Sequence, residues 1–157
     1  MQIEDVPYLV RREIEALALK PFLDAFAREL GEEKTMEIAG AVIDRLSEEA
    51  GREFAAAHQD DLLDAVRDQL LAHNEAGDCD NRLQDEGPDH VTVHTCDCEY
   101  VRMYERNGLK DLGFLLSCRR DIGYYEGMGE NVHLVRRGTR MQGCPVCDFR
   151  VELKQPE

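Results

Sequence analysis

Tryptophan is missing from the 157 residues, aromatics make up only 6%, and 33 acids outnumber 19 lysines and arginines, leaving a formal net charge of -14. With so few large rings, the core must be built mainly from Leu, Ile, Val and Ala, as in a helical layer packed on a small sheet. The shortage of cations excludes a nucleic-acid partner held through phosphates, and equally a general attraction to an anionic membrane surface. No segment is long and apolar enough to cross a bilayer. The opening Met1-Gln2-Ile3-Glu4-Asp5 is acidic with no apolar run behind it, so no secretory leader is read and a cytoplasmic location is expected. In that setting the six cysteines are expected to be free thiols or metal ligands rather than a disulfide scaffold.

The length suits a single domain over 1–157, with a helical part at about 8–74, an acidic loop at 75–89 and a mixed part at 90–154. Apolar residues at helical spacing predict a helix over Tyr8 to Leu30, kinked or divided at Pro21, with Val10, Ile14, Leu17, Leu23, Phe26 and Leu30 on its inward stripe. A second helix is expected over Glu33 to Phe54, and a third from a cap at Asp60 to about His73, with Leu62, Leu63, Val66 and Leu70 inward. Gly77, Gly87 and Pro88 among many acids read as a surface loop. Beyond it, His90 to Thr95 alternates as a strand; helices are expected over Cys98 to Asn107 and Lys110 to Ser117, and strands over Val132 to Arg136 and Cys147 to Leu153. Helices first and strands afterwards predict an α+β fold, an N-terminal helical layer on a small antiparallel sheet.

Chemistry concentrates between Cys118 and Leu153, where Cys118, Arg120, Asp121, Glu126, Cys147, Asp148 and Arg150 stand among Gly123, Gly127, Gly129, Gly138 and Gly143. That density of ionisable groups beside glycines suits a small-molecule pocket. A cation lowers a thiol pKa by stabilising the thiolate, so Arg119 and Arg120 directly after Cys118 make it a candidate nucleophile. Cys147 has mixed neighbours and alternates with Phe149, Val151 and Leu153, so it also reads as a small buried hydrophobe. Asp121 and Glu126 could transfer protons or hold an amidine-like cation, and among Arg120, Arg136, Arg137, Arg140 and Arg150 the last is the favoured carboxylate clamp, sharing the polar face of its strand with Asp148. No serine triad is supported around Ser47 or Ser117.

Cys96-x-Cys98 and Cys144-x-x-Cys147 together could supply four thiolates to a structural zinc. Redox pairing of Cys144 with Cys147 is the other use of that spacing, without the strand-to-helix context of thioredoxin. No organic cofactor is expected, and self-association into a homo-oligomer stays open.

Arg11-Arg12-Glu13-Ile14-Glu15-Ala16, Gly113-Phe114-Leu115-Leu116-Ser117-Cys118-Arg119-Arg120-Asp121, Glu126-Gly127, and Gly143 followed by Cys147-Asp148-Phe149-Arg150 resemble the L-2-amino-thiazoline-4-carboxylic acid hydrolases. The likeness covers nearly the whole chain; Cys98, Cys118 and Cys147 match it, while Cys79, Cys96 and Cys144 are additional. It implies hydrolytic opening of a thiazoline ring in bacteria that use such compounds as a source of cysteine. Its implied roles are Cys118 as nucleophile or close participant with Cys147, Asp121 or Glu126 for proton transfer, and Arg150 or Arg120, with Asp148 and Cys98, for substrate binding. The glycine-then-Cys-x-Phe ending is also similar to 4-vinyl reductase type ligand-binding domains, which implies an α+β fold with a small-molecule pocket. It leaves a non-enzymatic sensor of a metal or organic ligand as the alternative.

Overall fold

The structure, a computed structural model, describes residues 2–154. Three long helices lead: α1 (Tyr8–Leu30), α2 (Glu32–Ala57) and α3 (Leu62–Glu75). Strands β1 (Cys79–Gly87) and β2 (His90–Cys98) follow, then α4 (Glu99–Arg106), α5 (Lys110–Gly113), a π-helical turn over Phe114–Cys118, and α6 (Arg119–Gly127). Strands β3 (Val132–Val135) and β4 (Cys147–Leu153) close the chain. The sheet is antiparallel throughout, in the order β1-β2-β4-β3. The α+β class is therefore as the sequence predicts.

Alternation decides what the sheet presents to the helices. Val91, Val93 and Thr95 of β2 and Cys147 and Val151 of β4 are buried on its inner face. There they meet Val66 and Leu70 of α3 and Tyr125 and Met128 from α6 and its C-cap. Val66, Val93 and Val151 are fully buried, each stabilising the fold by about 1.5–3 kcal/mol. A second apolar cluster joins Ala16 and Leu23 of α1 and Ile43 of α2 to Tyr100, Met103 and Tyr104 of α4 and to Leu115 and Leu116 of the π turn.

Four sequence expectations change. The acidic loop at 75–89 is largely strand β1, paired with β2 from Cys79↔Cys98 to Gly87↔His90. Its residues are exposed from Arg82 to Glu86 because it is the edge of the sheet, where charges discourage further pairing and erase the alternating signal. Second, α1 passes through Pro21 as one helix. Third, most of its expected inward stripe faces out, with Ile14 59%, Leu17 49% and Phe26 52% exposed and only Leu23 buried.

Fourth, the helix expected over Lys110 to Ser117 becomes α5, the π turn and α6 in succession. Gly123 and Gly127 lie in α6, where they let it press against α2: a Cβ on Gly127 would stand 2.3 Å from the Glu48 carbonyl oxygen, and one on Gly51 of α2 only 2.0 Å from that of Tyr124. Arg119 completes this contact through its Nε and Nη2, which donate to Asp44 over 2.7 and 2.6 Å.

Candidate active site

Between the two apolar clusters lies a cavity of about 690 Å³, walled by α1, α2, α3, the inner face of the sheet, the π turn and α6. Cys79, Cys98, Cys118 and Cys147 all line it, with Asp121, Arg12, Arg120 and Arg136. Of the residues expected to form the site, Cys98, Cys118, Arg120, Asp121 and Cys147 are gathered; Glu126, Asp148, Arg150, Cys96 and Cys144 are not.

Local geometry explains the five that fall outside. Glu126 is exposed on the far side of α6 from Asp121, beside Glu48 and Arg52, because five residues turn a helix well past its opposite edge. On β4, Asp148 and Arg150 point away from Cys147 and Phe149, as strand alternation requires. Asp148 accepts hydrogen bonds from the backbone N–H of Arg137 (3.0 Å) and Gly138 (3.3 Å) and from Arg137 Nε (2.8 Å), so it ties the β3–β4 connection. Arg150 donates to Thr92 and to Glu152, each over 3.1 Å, on the outer face of the sheet.

Cys96 is the extra residue of a bulge, skipped where the register passes from Asp80↔Asp97 to Asn81↔Thr95. This bulge turns Cys98 inward and leaves Cys96 on the other side. Cys144 packs at Gly138. The four sulfurs proposed for zinc are thus dispersed, and among the described residues no group of three or more His, Cys, Asp or Glu side chains is arranged to hold a metal ion.

Two walls carry the reactive groups. On the first, Cys98 ends β2 and caps the N-terminus of α4, directly opposite Cys79 in the strand register. The Cys79 thiol across the register, and after it the backbone at Val101 and Tyr100, lower the Cys98 pKa against the opposing effect of burial. The same pairing, with burial, raises Cys79. Cys79 falls in the stretch expected to be a loop, and its partner appears only because that stretch pairs with β2 as β1.

On the second wall the π turn presents Ser117 and Cys118, and α6 continues to Asp121. A π turn widens the helix locally, a feature common at functional sites. Burial, reinforced by Asp121, pushes the Cys118 thiol up to about 12. The adjacent arginines do not rescue it: Arg119 is held by Asp44, and Arg120 donates to the Leu116 carbonyl at 2.8 Å and to Glu15 at 3.2 Å. Cys147 is raised to about 11 by burial, opposed in part by the Arg140 N–H that reaches its sulfur over 3.1 Å.

Asp121 is paired with Arg136, whose Nη1 donates at 2.6 Å while Nη2 donates to the Cys118 carbonyl at 2.9 Å. Arg136 is only 6% exposed and lies over the Phe149 ring. The Asp121 side chain is 36% exposed and lines the cavity; burial of its surroundings pushes its pKa up to about 6 against the pull of Arg136.

Arg12 is the residue that sequence reasoning missed. Its Nη2 donates to Glu15 at 2.6 Å, its guanidinium lies 4.8 Å from the Tyr8 ring centre, and its Nε and Nη1 are buried without a partner. Each unpartnered donor atom costs about 1–3 kcal/mol until an acceptor arrives; Nε and Nη1 point to different sides of the guanidinium, so each meets an acceptor of its own. The signal was Arg11-Arg12 within a helix followed by Glu15, which reads locally as surface charge. Farther along, His73 and the Tyr100 hydroxyl both meet the buried carboxylate of Asp78, at 3.1 and 3.3 Å.

A partly open cavity on an α+β scaffold, furnished with thiols, a carboxylate–guanidinium pair and an unsatisfied arginine, suits a small molecule. The model of the L-2-amino-thiazoline-4-carboxylic acid hydrolases matches residues 11–151, and the chain belongs to that family. Comparison with curated proteins gives no match. Among solved structures, the chain is similar to the phenol-responsive sensory domain of the transcription activator PoxR with phenol, at a TM-score of 0.51 and 10% identity over 88% of this chain and 74% of that one. It is also similar to trafficking protein particle complex subunit 3 from Naegleria fowleri, covalently bound to palmitic acid, at a TM-score of 0.47 and 9% identity over 93% and 96% of the two chains. Among the described residues no helix is long and apolar enough to cross a membrane.

Proposed function

We propose that the protein hydrolyses a small cyclic carbon–nitrogen and carbon–sulfur compound of the L-2-amino-thiazoline-4-carboxylate kind. The observation that carries this reading is the co-location of Cys98, Asp121 and Arg12 in one cavity, with the family membership pointing to the same chemistry. The substrate carboxylate accepts from the free Nη1 of Arg12, with Arg120 beside it, which holds the ring inside the cavity. The Cys98 thiolate adds to the ring carbon that bears two nitrogens and a sulfur. One ring bond breaks, and the departing nitrogen or sulfur takes a proton from protonated Asp121. Water then attacks the same carbon, gives its proton back to Asp121 and expels Cys98 as thiolate, so that one water is consumed and the enzyme is restored.

The roles once given to Cys118 and Arg150 therefore pass to Cys98 and Arg12. The direct test incubates purified protein with L-2-amino-thiazoline-4-carboxylate and follows substrate and ring-opened product by mass spectrometry. Turnover that disappears in Cys98→Ser, with the far-ultraviolet circular dichroism unchanged, is the expected result. Binding without any consumption would replace this reading with that of a sensor module.

A further inference from the structure

We infer that Cys79 and Cys98 are a disulfide site, closed by hydrogen peroxide and reopened by a dithiol, and that closing it silences the hydrolysis proposed above. Only this second half rests on the reading of Cys98 as nucleophile.

The sheet places the pair. Cys79 and Cys98 are direct partners in the antiparallel register of β1 and β2. Facing Cα atoms of such strands lie about 4.5–5.5 Å apart, inside the roughly 4.4–6.8 Å that a disulfide spans. The bulge at Cys96 sets both sulfurs on one face. Asn81 and Thr95 meet on the inner side, where the Thr95 hydroxyl donates to the Asn81 side chain over 2.7 Å. Asp80 and Asp97 point outward to Arg82 and Arg102, and Cys79 and Cys98 return to the cavity wall. The backbone is held on both sides of the pair, by Asp80↔Asp97 in the register and by the Glu99 N–H, which donates to the Asp78 carbonyl over 2.8 Å. The link therefore asks for rotation of two side chains and no movement of a strand.

The other thiols are less well placed. Cys147 faces Thr95, three positions along β2 from Cys98 and so roughly 10 Å away at the strand rise, beyond the about 7 Å that a disulfide can bridge. From Cys79 it is two strands distant, again roughly 10 Å. Cys118 stands on the opposite wall, and Cys96 and Cys144 lie outside the cavity.

Chemistry divides the work between the two sulfurs. Cys98 is held toward the thiolate, first by Cys79 and then by the backbone at Val101 and Tyr100, while Cys79 is held as a thiol. A low-pKa cysteine on a wall open to solvent, with a resolving thiol beside it, is the arrangement that senses peroxide. The Cys98 sulfur attacks one peroxide oxygen, the O–O bond breaks, and the departing hydroxide takes the proton that Cys98 gave up and leaves as water. The Cys79 sulfur then attacks the Cys98 sulfenic acid, the S–O bond breaks, and that hydroxyl leaves as a second water with the Cys79 proton. Two thiols lose two electrons, and the peroxide is reduced to two waters. A dithiol reverses the link by exchange. While it is closed, the Cys98 sulfur has no electron pair to offer a ring carbon as thiolate, so turnover stops.

The test adds one equivalent of hydrogen peroxide to the reduced protein, caps the remaining thiols with N-ethylmaleimide in denaturant, and maps the peptides by mass spectrometry. Cys79 joined to Cys98 is expected, with Cys96, Cys118, Cys144 and Cys147 capped and both linked thiols regained after dithiothreitol. Cys98 found as a sulfinic acid beside a capped Cys79, or linked to any other cysteine, would overturn the site. Cys79→Ser should leave Cys98 as a sulfenic acid that dimedone traps; should this variant fail to fold, the map of the unmodified protein decides alone. Turnover of 2-amino-thiazoline-4-carboxylate should be lost in the linked protein and return with dithiothreitol. A linked protein that hydrolyses as fast as the reduced one overturns the silencing. A reduced protein without turnover overturns the hydrolase reading and the silencing with it, and leaves the disulfide site standing on its map.

Discussion

Cys98 and Cys118 face the same cavity from opposite walls, yet their surroundings drive them apart. Cys98 sits where a strand hands over to a helix, so the Cys79 thiol and then the backbone at Val101 and Tyr100 act on its sulfur and favour the thiolate. Cys118 is followed by two arginines in sequence, but its sulfur sees burial and Asp121 instead, which favour the thiol. A guanidinium adjacent in the chain is therefore not one adjacent in space: helix geometry sends Arg119 to α2 and Arg120 to Glu15 of α1. What lowers the Cys98 pKa is first the Cys79 thiol facing it across the hairpin and then the backbone of the strand-to-helix junction.

The contrast can be broken most decisively by exchanging the two thiols for hydroxyls. Cys98→Ser should lower kcat by at least about a thousandfold, as loss of a nucleophile does, whereas Cys118→Ser should stay within about threefold, a role in packing only; equal losses would erase the distinction between the walls. Asp121→Asn should reduce kcat by about 10²–10⁴. Its pKa is raised to about 6, so the acid that protonates the departing atom prevails only below that pH. Ring opening should slow as pH rises through about 6, and the limb assigned to Asp121 should vanish in the asparagine variant.

A smaller effect separates the two faces of the sheet from the cavity. Arg12→Gln should raise KM by about 10–100-fold, the equivalent of about 1.5–3 kcal/mol for a charged hydrogen bond, while Arg150→Gln should leave it unchanged; the reverse order would restore the clamp to β4. The smallest effect sharpens the first comparison without any substrate. Iodoacetamide at neutral pH should label Cys98 ahead of Cys118 and Cys147, as peptide mass spectrometry reads directly. Cys79→Ala removes the thiol facing Cys98, moves the Cys98 pKa upward and should slow that labelling by about threefold to tenfold.

Much of the fold was legible because its signals are local. The inward residues of α3 and the alternation of β2 and β4 need only neighbours a few positions away, and they survive folding intact. The alternation of β4 even carried its own correction, since a period that places Cys147 inward places Arg150 outward. The polar strand β1 was illegible for a physical reason: an edge strand with little buried on either face has no hydrophobic period to display.

The α+β class, the inward face of α3 and the shortage of cations follow from the amino-acid sequence alone, since each depends on composition or on spacing within a few residues. Which thiol is activated, which arginine is left with unpaired donors and which face of α1 stays uncovered were settled by tertiary structure. Those properties arise where chain segments far apart in sequence meet: Cys79 with Cys98 across a hairpin, Arg12 of α1 with the cavity that α6 closes, Asp121 with Arg136 beyond the helix. Desolvation and hydrogen bonding act through these meetings, and they belong to neither partner's own stretch of sequence.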